Sequence, residues 1–268
     1  MALLQDALAP LQSNPAGSAV LLDIDGTLSP IVENAADACV PEATRQLLIA
    51  ISRRFGLVAC ISGRRASEAR AMVSIGPISY LGSHGAELLQ AGWTESVLDP
   101  RLAAWIEPMR DFARAEDSTE LRRARVRLED KRAIIAFHWR GAPDEAAAKR
   151  MLEGVAARAQ QAGFNCHWGR KVMEVRPPVQ IDKGDAVIAL IRRANVRAAV
   201  YVGDDTTDLD AFRALAKLTE SGELQYSLRV GVRSDDGPPE LEAATDLVVD
   251  GTEGVQRLLA ALAAEQPA

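Results

Sequence analysis

Val20-Leu21-Leu22-Asp23-Ile24-Asp25-Gly26-Thr27 is an apolar run of strand length that delivers two carboxylates, two residues apart, into a glycine turn. Alternation along an extended chain places Asp23 and Asp25 on one side, at a strand tip where open α/β sheets bind ligands. Two acids so close need a cation or a proton. A hard dication such as Mg²⁺ takes oxygen ligands and would hold one carboxylate beside a phosphate. The second carboxylate, with a raised pKa, would shuttle protons. An Asx turn at a strand end accounts for the same residues, because Asp-Gly is a common turn dipeptide. By itself the motif supports both readings equally.

A second acidic cluster shifts the balance. Ala198 to Val202 reads as another buried strand, and it ends in Gly203-Asp204-Asp205-Thr206-Thr207-Asp208-Leu209-Asp210, four acids in seven residues. A turn and a helix cap use one or two of them; the surplus asks for a metal. Between the clusters, Leu57-Val58-Ala59-Cys60-Ile61 runs into Ser62-Gly63-Arg64, a hydroxyl and backbone amides where a phosphate oxygen could rest. Ile181-Asp182-Lys183-Gly184-Asp185 then opens an apolar-periodic helix. A lysine in a first turn opposes the helix macrodipole unless it faces carboxylates or a phosphate. Taken singly, Ser-Gly is a weak signal and Lys183 reads more simply as solvated.

In order, Asp-x-Asp-Gly-Thr, strand-Ser, Lys and Gly-Asp-Asp-x-x-Asp resemble the haloacid dehalogenase-like phosphotransferases over nearly the whole chain. The combination is specific although no single part is. The resemblance implies that Asp23 is the nucleophile and Asp25 the general acid and base. It implies a Mg²⁺ cofactor held by the Asp23 carboxylate, the Asp25 backbone carbonyl and an acid of the last motif, Asp204 first and Asp208 next. Ser62 and Lys183 would screen charge on the transferring phosphoryl group, with Gly63 and Arg64 beside them. Ion-pumping relatives carry Thr where Asp25 stands and dehalogenating ones lack that acid, so Asp25 implies a phosphatase or phosphomutase.

Composition bounds the rest. The 268 residues, 48% hydrophobic with a mean hydropathy of −0.04, suit one large globular domain or two small ones. A net charge of −6 and a pI of about 5.3 argue against nucleic acid or an anionic membrane as partner. The resemblance implies a small-molecule sugar phosphate as partner, and the protein is expected to be a monomer or weak dimer. Cys39, Cys60 and Cys166 are odd in number and widely spaced, which reads as core thiols in a reducing compartment without a zinc site. No uninterrupted run of 18 apolar residues occurs, and Asp6 stands without a basic residue before the first short apolar stretches, so a cytoplasmic location is expected.

The pattern predicts an α/β fold, a doubly wound Rossmann-like parallel-sheet core with an inserted smaller α/β cap. Residues 1–100 and 178–268 are expected to form the core and residues 101–177 the cap, with hinges near 99–101 and 177–179. Strand and helix alternate up to residue 99: a helix from Pro41-Glu42, a strand over 57–61, a short helix near Ser67–Val73 and a strand over Ile78–Leu81. The grammar then changes to a helix over Leu102–Arg114, strands Arg125–Glu129 and Ala133–Arg140, a helix Asp144–Gln161, and strands Phe164–Trp168 and Lys171–Arg176. Pro177-Pro178 ends that unit, and parallel strands resume near 198–202, 228–232 and 246–249.

The insertion carries the substrate signal. Alternation would put Arg125, Arg127, Glu129 and Lys131 on one face of a strand, His138 and Arg140 together on the next, and Glu174 and Arg176 together on the last. A charged sheet face is by default solvated; the alternative is a platform for sugar hydroxyls, which need dense donors and acceptors. Glu129-Asp130-Lys131, His138-Trp139-Arg140 and Gly169 through Pro177 are similar in kind and spacing to the lid of trehalose-6-phosphate phosphatases. Gly82-Ser83-His84-Gly85-Ala86-Glu87 is similar to a core segment of that family, with Ser83 where relatives often carry a bulkier residue. The resemblance implies hydrolysis of trehalose 6-phosphate. Glu129, Lys131, His138, Arg140, Lys171 and Glu174 would bind the distal glucose, and His84 would be a further substrate-binding residue. Arg170 has no expected role. Another sugar-phosphate phosphatase, a hexose phosphomutase or a catalytically silent regulatory domain are the rival readings.

Overall fold

The computed structural model describes residues 2–32, 37–234 and 237–264. The chain divides into two compact units, Met1–Val97 with Ile181–Ala268, and Leu98–Gln180.

The first unit begins with α1 (Ala2–Ser13), β1 (Ser18–Leu22), α2 (Glu42–Ser52), β2 (Leu57–Ile61), α3 (Ala66–Val73), β3 (Ser79–Gly82), β4 (Glu87–Leu89) and β5 (Val97–Leu98). In the second unit come α4 (Ile106–Glu116), α5 (Thr119–Arg123), β6 (Arg127–Asp130), β7 (Ile135–His138), α6 (Glu145–Gln161), β8 (Asn165–Gly169) and β9 (Val172–Arg176). The first unit resumes with α7 (Lys183–Ala194), β10 (Ala198–Gly203), α8 (Asp208–Glu220), β11 (Tyr226–Arg233), β12 (Leu247–Asp250) and α9 (Gly251–Ala263).

The large sheet has the order β12-β11-β10-β1-β2-β3-β4-β5, parallel from β12 to β3. β1 and β10 are buried throughout, as strands covered on both faces must be. Alternate residues serve opposite layers. Val20, Leu22, Val58 and Cys60 pack with α1, α2, α3 and α9, whereas Ala19, Leu21, Ala59 and Ile61 pack with α7 and α8. From β1 the chain turns one way to β2, and β10 lies on β1's other side, in register Leu22 with Val202. The strand order therefore switches between β1 and β10, where such sheets open a crevice at their carboxyl ends.

The second unit is a four-stranded antiparallel sheet, β6-β7-β9-β8, with one face covered by α4 and α6. Ile135, Phe137, Met173 and Val175 face Met109, Leu152, Val155 and Ala159. Opposed residues share a face, so the register Glu129–Ala136–Glu174–His167 and its neighbour Arg127–His138–Val172–Gly169 form the other, polar side.

Several sequence expectations are corrected. The helix expected over Leu102–Arg114 is a 3₁₀ segment, Pro100–Trp105, followed by α4. Arg125, Lys131 and Arg140 lie outside the strands, because left-handed backbone at Arg125 (φ 56°), Arg132 (φ 74°) and Gly141 (φ 76°) ends the extended runs. Of the expected core thiols only Cys60 is buried; Cys39 is exposed in a loop and Cys166 is half-buried on β8. Helix α1 was not foreseen: its Leu8 and Leu11 join the core beside α9. Among the described residues no helix is long and apolar enough to cross a membrane.

At Gly82 the end of β3 lies against the start of α3, and a Cβ there would fall 2.1 Å from the Ala66 backbone nitrogen. Backbone cannot yield as a flexible side chain does. Gly82→Ala is expected to cost more than ~2 kcal/mol of stability by urea denaturation, and an unchanged midpoint would show that α3 shifts freely.

Candidate active site

The carboxyl ends of β1 and β10 bring four charged side chains into one dry cluster. Lys183 Nζ donates to Asp23 Oδ1 and to Asp208 Oδ1, each at 2.6 Å. Asp23, Asp204, Asp208 and Lys183 are all buried. One carboxylate oxygen from each of the three acids lies within 4.8 Å of the others.

Local sequence explains the convergence. Asp182 caps α7 by accepting from the Asp185 amide at 2.9 Å, which starts the helix at Lys183. Gly26, at φ +95°, leaves room for Asp204: a Cβ there would meet Asp204 Oδ2 at 2.0 Å. Gly203 does the same for Asp208, whose Cγ would lie 2.3 Å from an added Cβ. The Thr27 hydroxyl donates to Asp204 Oδ1 at 2.9 Å, and Tyr201 donates to Asp208 Oδ1 at 2.6 Å. Sequence reasoning missed both. The signal for Tyr201 was a phenol in an otherwise aliphatic strand; Thr27 stood inside the quoted motif without a role. Asp205 caps its own turn through the Thr206 amide, and Asp210 pairs with Arg213.

Asp25 points elsewhere. Arg64 grips its carboxylate with Nε to Oδ2 at 2.8 Å and an NH2 nitrogen to Oδ1 at 2.6 Å, a bidentate pair. The Ser62-Gly63-Arg64 segment offers less amide than expected, because β2 stays bonded to the β3 end. The Ser62 amide donates to Leu81 O at 2.9 Å, and the Arg64 amide to Ser62 Oγ at 3.1 Å. The Ser83 and His84 amides reach back to Arg64 O and Ser62 O, and the His84 ring lies over Gly63, where a Cβ would come within 2.8 Å of it. Buried Glu87 accepts from the Ala66 amide and the Ser96 hydroxyl, both at 2.8 Å, and so caps α3 from the neighbouring strand. That role was unforeseen, although an acid in an apolar strand was its sign.

Electrostatics in the cluster are dominated by burial. Desolvation pushes the Asp23 carboxyl well above the ordinary carboxylate range; Asp208 and Asp204 add to this and Lys183 opposes it. Burial, then the charge of Asp208, raises Asp204 to about 7. Burial alone would lower Lys183, but Asp208 and Asp23 outweigh it and hold the ammonium above ordinary lysine. Three carboxylates thus face one ammonium. An all-oxygen donor set short of positive charge, Asp23, Asp204 and Asp208, fits a hard dication.

On the polar face of the second unit, buried Glu174 accepts from Lys131 Nζ at 3.0 Å and from Arg176 Nε at 2.9 Å. His138 Nε2 lies 2.7 Å from Glu129 Oε2, and this contact pulls the Glu129 carboxyl below its usual range. Two residues expected to bind the sugar have partners in the turns instead. Lys171, at φ 58° in the β8–β9 turn, bonds Glu145 at the start of α6, and Arg140 reaches the Arg170 carbonyl.

The sheet order and the carboxylates at the tips of β1 and β10 define the haloacid dehalogenase-like fold. A haloacid dehalogenase-like hydrolase from Bacteroides thetaiotaomicron matches with a TM-score of 0.61 at 16% identity, over 91% of this chain and 98% of that one. The trehalose-phosphatase family model matches residues 21–242, and the chain belongs to that family. The trehalose-phosphate phosphatase of Mycobacterium marinum (strain ATCC BAA-535 / M) is 34% identical over 226 residues, 80% of this chain and 57% of that protein. The C-terminal domain of the C. albicans trehalose-6-phosphate phosphatase has a TM-score of 0.74 at 20% identity, over 98% of this chain and 96% of that one. The chain thus spans little more than half of the Mycobacterium marinum relative, and only 15% of an uncharacterized glycosyl hydrolase of Mycobacterium tuberculosis to which it is 34% identical over 205 residues, 74% of this chain.

A raised carboxyl pKa has a definite sign in stability. Between 3.8 and about 7 the folded protein keeps a proton on Asp204 that the unfolded chain has released, so this group favours folding below 3.8 and the contribution is lost as pH rises through about 7. Asp204→Asn keeps an acceptor for Thr27 without the charge. In metal-free protein it is expected to raise the melting temperature by on the order of 5 °C at pH 8, a gain that shrinks toward pH 4. A gain independent of pH would remove the titration account.

Proposed function

We propose that the protein hydrolyses trehalose 6-phosphate to trehalose and inorganic phosphate, in a Mg²⁺-dependent reaction through an aspartyl phosphate on Asp23. The carrying observation is the dry cluster at the β1–β10 switch point, an Asp23 carboxylate held by Lys183 beside carboxylates short of positive charge. Family membership and the Mycobacterium marinum relative support the substrate. Asp23, the Asp25 carbonyl and Asp204 would hold Mg²⁺, which would neutralise charge on the phosphoryl oxygens. Asp208 is the weaker candidate, since four donors already surround it.

The remaining chemistry belongs to the chain. An Asp23 carboxylate oxygen attacks phosphorus, the bond to the sugar oxygen breaks, and Asp25 gives that oxygen its proton. Asp25 then takes a proton from the water that attacks the aspartyl phosphate, and phosphate leaves. Arg64 must first relax its grip on Asp25. Lys183 and the Ser62 hydroxyl meet the developing charge. Sugar recognition is assigned to the polar face of the second unit, with Glu129, Lys131, His138 and Glu174 its principal residues. Arg140 and Lys171 would have to leave their present partners to join them.

Asp23→Asn should leave no measurable turnover, and acid-quenched wild type given labelled substrate should carry phosphate on Asp23; multiple turnover by the pure variant would sink the covalent route. Exhaustive chelation should silence the enzyme and Mg²⁺ restore it, whereas full activity in verified metal-free protein would refute the metal requirement.

The face of the second unit should separate substrates. Glu129→Ala or Glu174→Ala is expected to lower kcat/KM on trehalose 6-phosphate by about 10²-fold, as lost charge-assisted bonds and misalignment would give. Hydrolysis of p-nitrophenyl phosphate should hardly change. Parallel losses on both substrates would make these residues structural, and no loss on either would make the face plain solvated surface.

A further inference from the structure

Asp208 is saturated by protein. Its Oδ1 accepts from Lys183 Nζ and the Tyr201 hydroxyl, both at 2.6 Å, and its Oδ2 accepts the amides of Asp204 and Asp205, both at 2.9 Å. An ionised carboxylate has about four lone-pair sites, and these donors use them all. The two oxygens serve different ends. Oδ2 shapes the turn that carries Asp204, while Oδ1 is shared between an ammonium and a phenol.

The phenol is itself fixed. Tyr201 belongs to fully buried β10, and its ring meets the Phe212 ring of α8 edge-on, with centroids 5.6 Å apart. The ring buttress and the hydroxyl bond leave it one position. A phenylalanine would fill the same space in the core, so packing alone does not account for the hydroxyl.

We propose that Tyr201 is a positioning residue that acts through Asp208 on Lys183. By taking one side of Oδ1, its hydroxyl confines the ammonium to the other side. The ammonium has three N–H bonds; Asp23 and Asp208 take two, and the third is thereby aimed at a phosphate oxygen. Asp208 then belongs to the frame, and the dication falls to Asp23 and Asp204. This inference rests on the reading of the cluster as a Mg²⁺ and phosphate site.

The test is Tyr201→Phe, read by calorimetry without substrate. Affinity for Mg²⁺ should stay within threefold of wild type, while affinity for inorganic phosphate at saturating Mg²⁺ should weaken about tenfold, the worth of one strong buried hydrogen bond. The kcat on p-nitrophenyl phosphate should fall by a similar factor. Phe212→Leu, which removes the buttress and keeps the hydroxyl, should weaken phosphate in the same direction by a smaller factor. Phosphate affinity within twofold of wild type in both variants overturns the proposal. A tenfold loss of Mg²⁺ affinity in Tyr201→Phe does so too, since it would place Asp208 in the metal site. Wild type that binds Mg²⁺ and phosphate but ignores trehalose 6-phosphate would overturn the substrate reading alone. Wild type that binds neither ion would overturn the phosphate site and this inference together.

Discussion

A single buried ammonium governs the first unit. Lys183 Nζ stands 2.6 Å from both Asp23 and Asp208, out of contact with water. An unpaired buried charge is strongly destabilising, whereas a paired and hydrogen-bonded one is tolerated. The fold must therefore keep the tip of β1, the first turn of α7 and the first turn of α8 together. Whatever else these elements do, they cannot separate without stranding that charge.

The same constraint explains the unusual helix starts. An anion at the start of α8 is favoured by the backbone dipole, and Asp208 sits there bonded to two amides. A cation at the start of α7 is disfavoured, and Lys183 is held there only because two carboxylates face it. Glycine makes the approach possible: Gly26 and Gly203 stand where any Cβ would strike Asp204 or Asp208. Once these groups are packed together, burial raises Asp23 and Asp204 above ordinary carboxylates and leaves the cluster short of positive charge. A buried carboxylate cluster short of positive charge is thus a consequence of how the core closes.

The second unit repeats the logic with its sheet face. Glu174 is buried because Lys131 and Arg176 both reach it, and Glu129 is matched by His138. Paired charges hold one another in fixed geometry.

Local pattern was enough to reveal the strands that carry Asp23, Asp204 and Ser62, the helix that begins at Lys183 and the change of grammar near residue 100, because periodicity and turn residues are short-range properties. Motif order brought forward Asp23, Lys183, Asp204 and Asp208, which the structure places together, and Asp25, which it places against Arg64. Pairings between distant residues were not legible: Thr27 with Asp204, Arg64 with Asp25, Tyr201 and Lys183 with Asp208, and Glu87 with the start of α3. Strand register and helix packing bring these groups together. So too with Asp208, a metal ligand by the family resemblance, which the packed core surrounds with four donors, and with Arg140 and Lys171, whose turns lead them to other partners. Residue types state which chemistry is available; the distances among residues remote in sequence assign it, because a carboxylate's role depends on what already occupies its lone pairs.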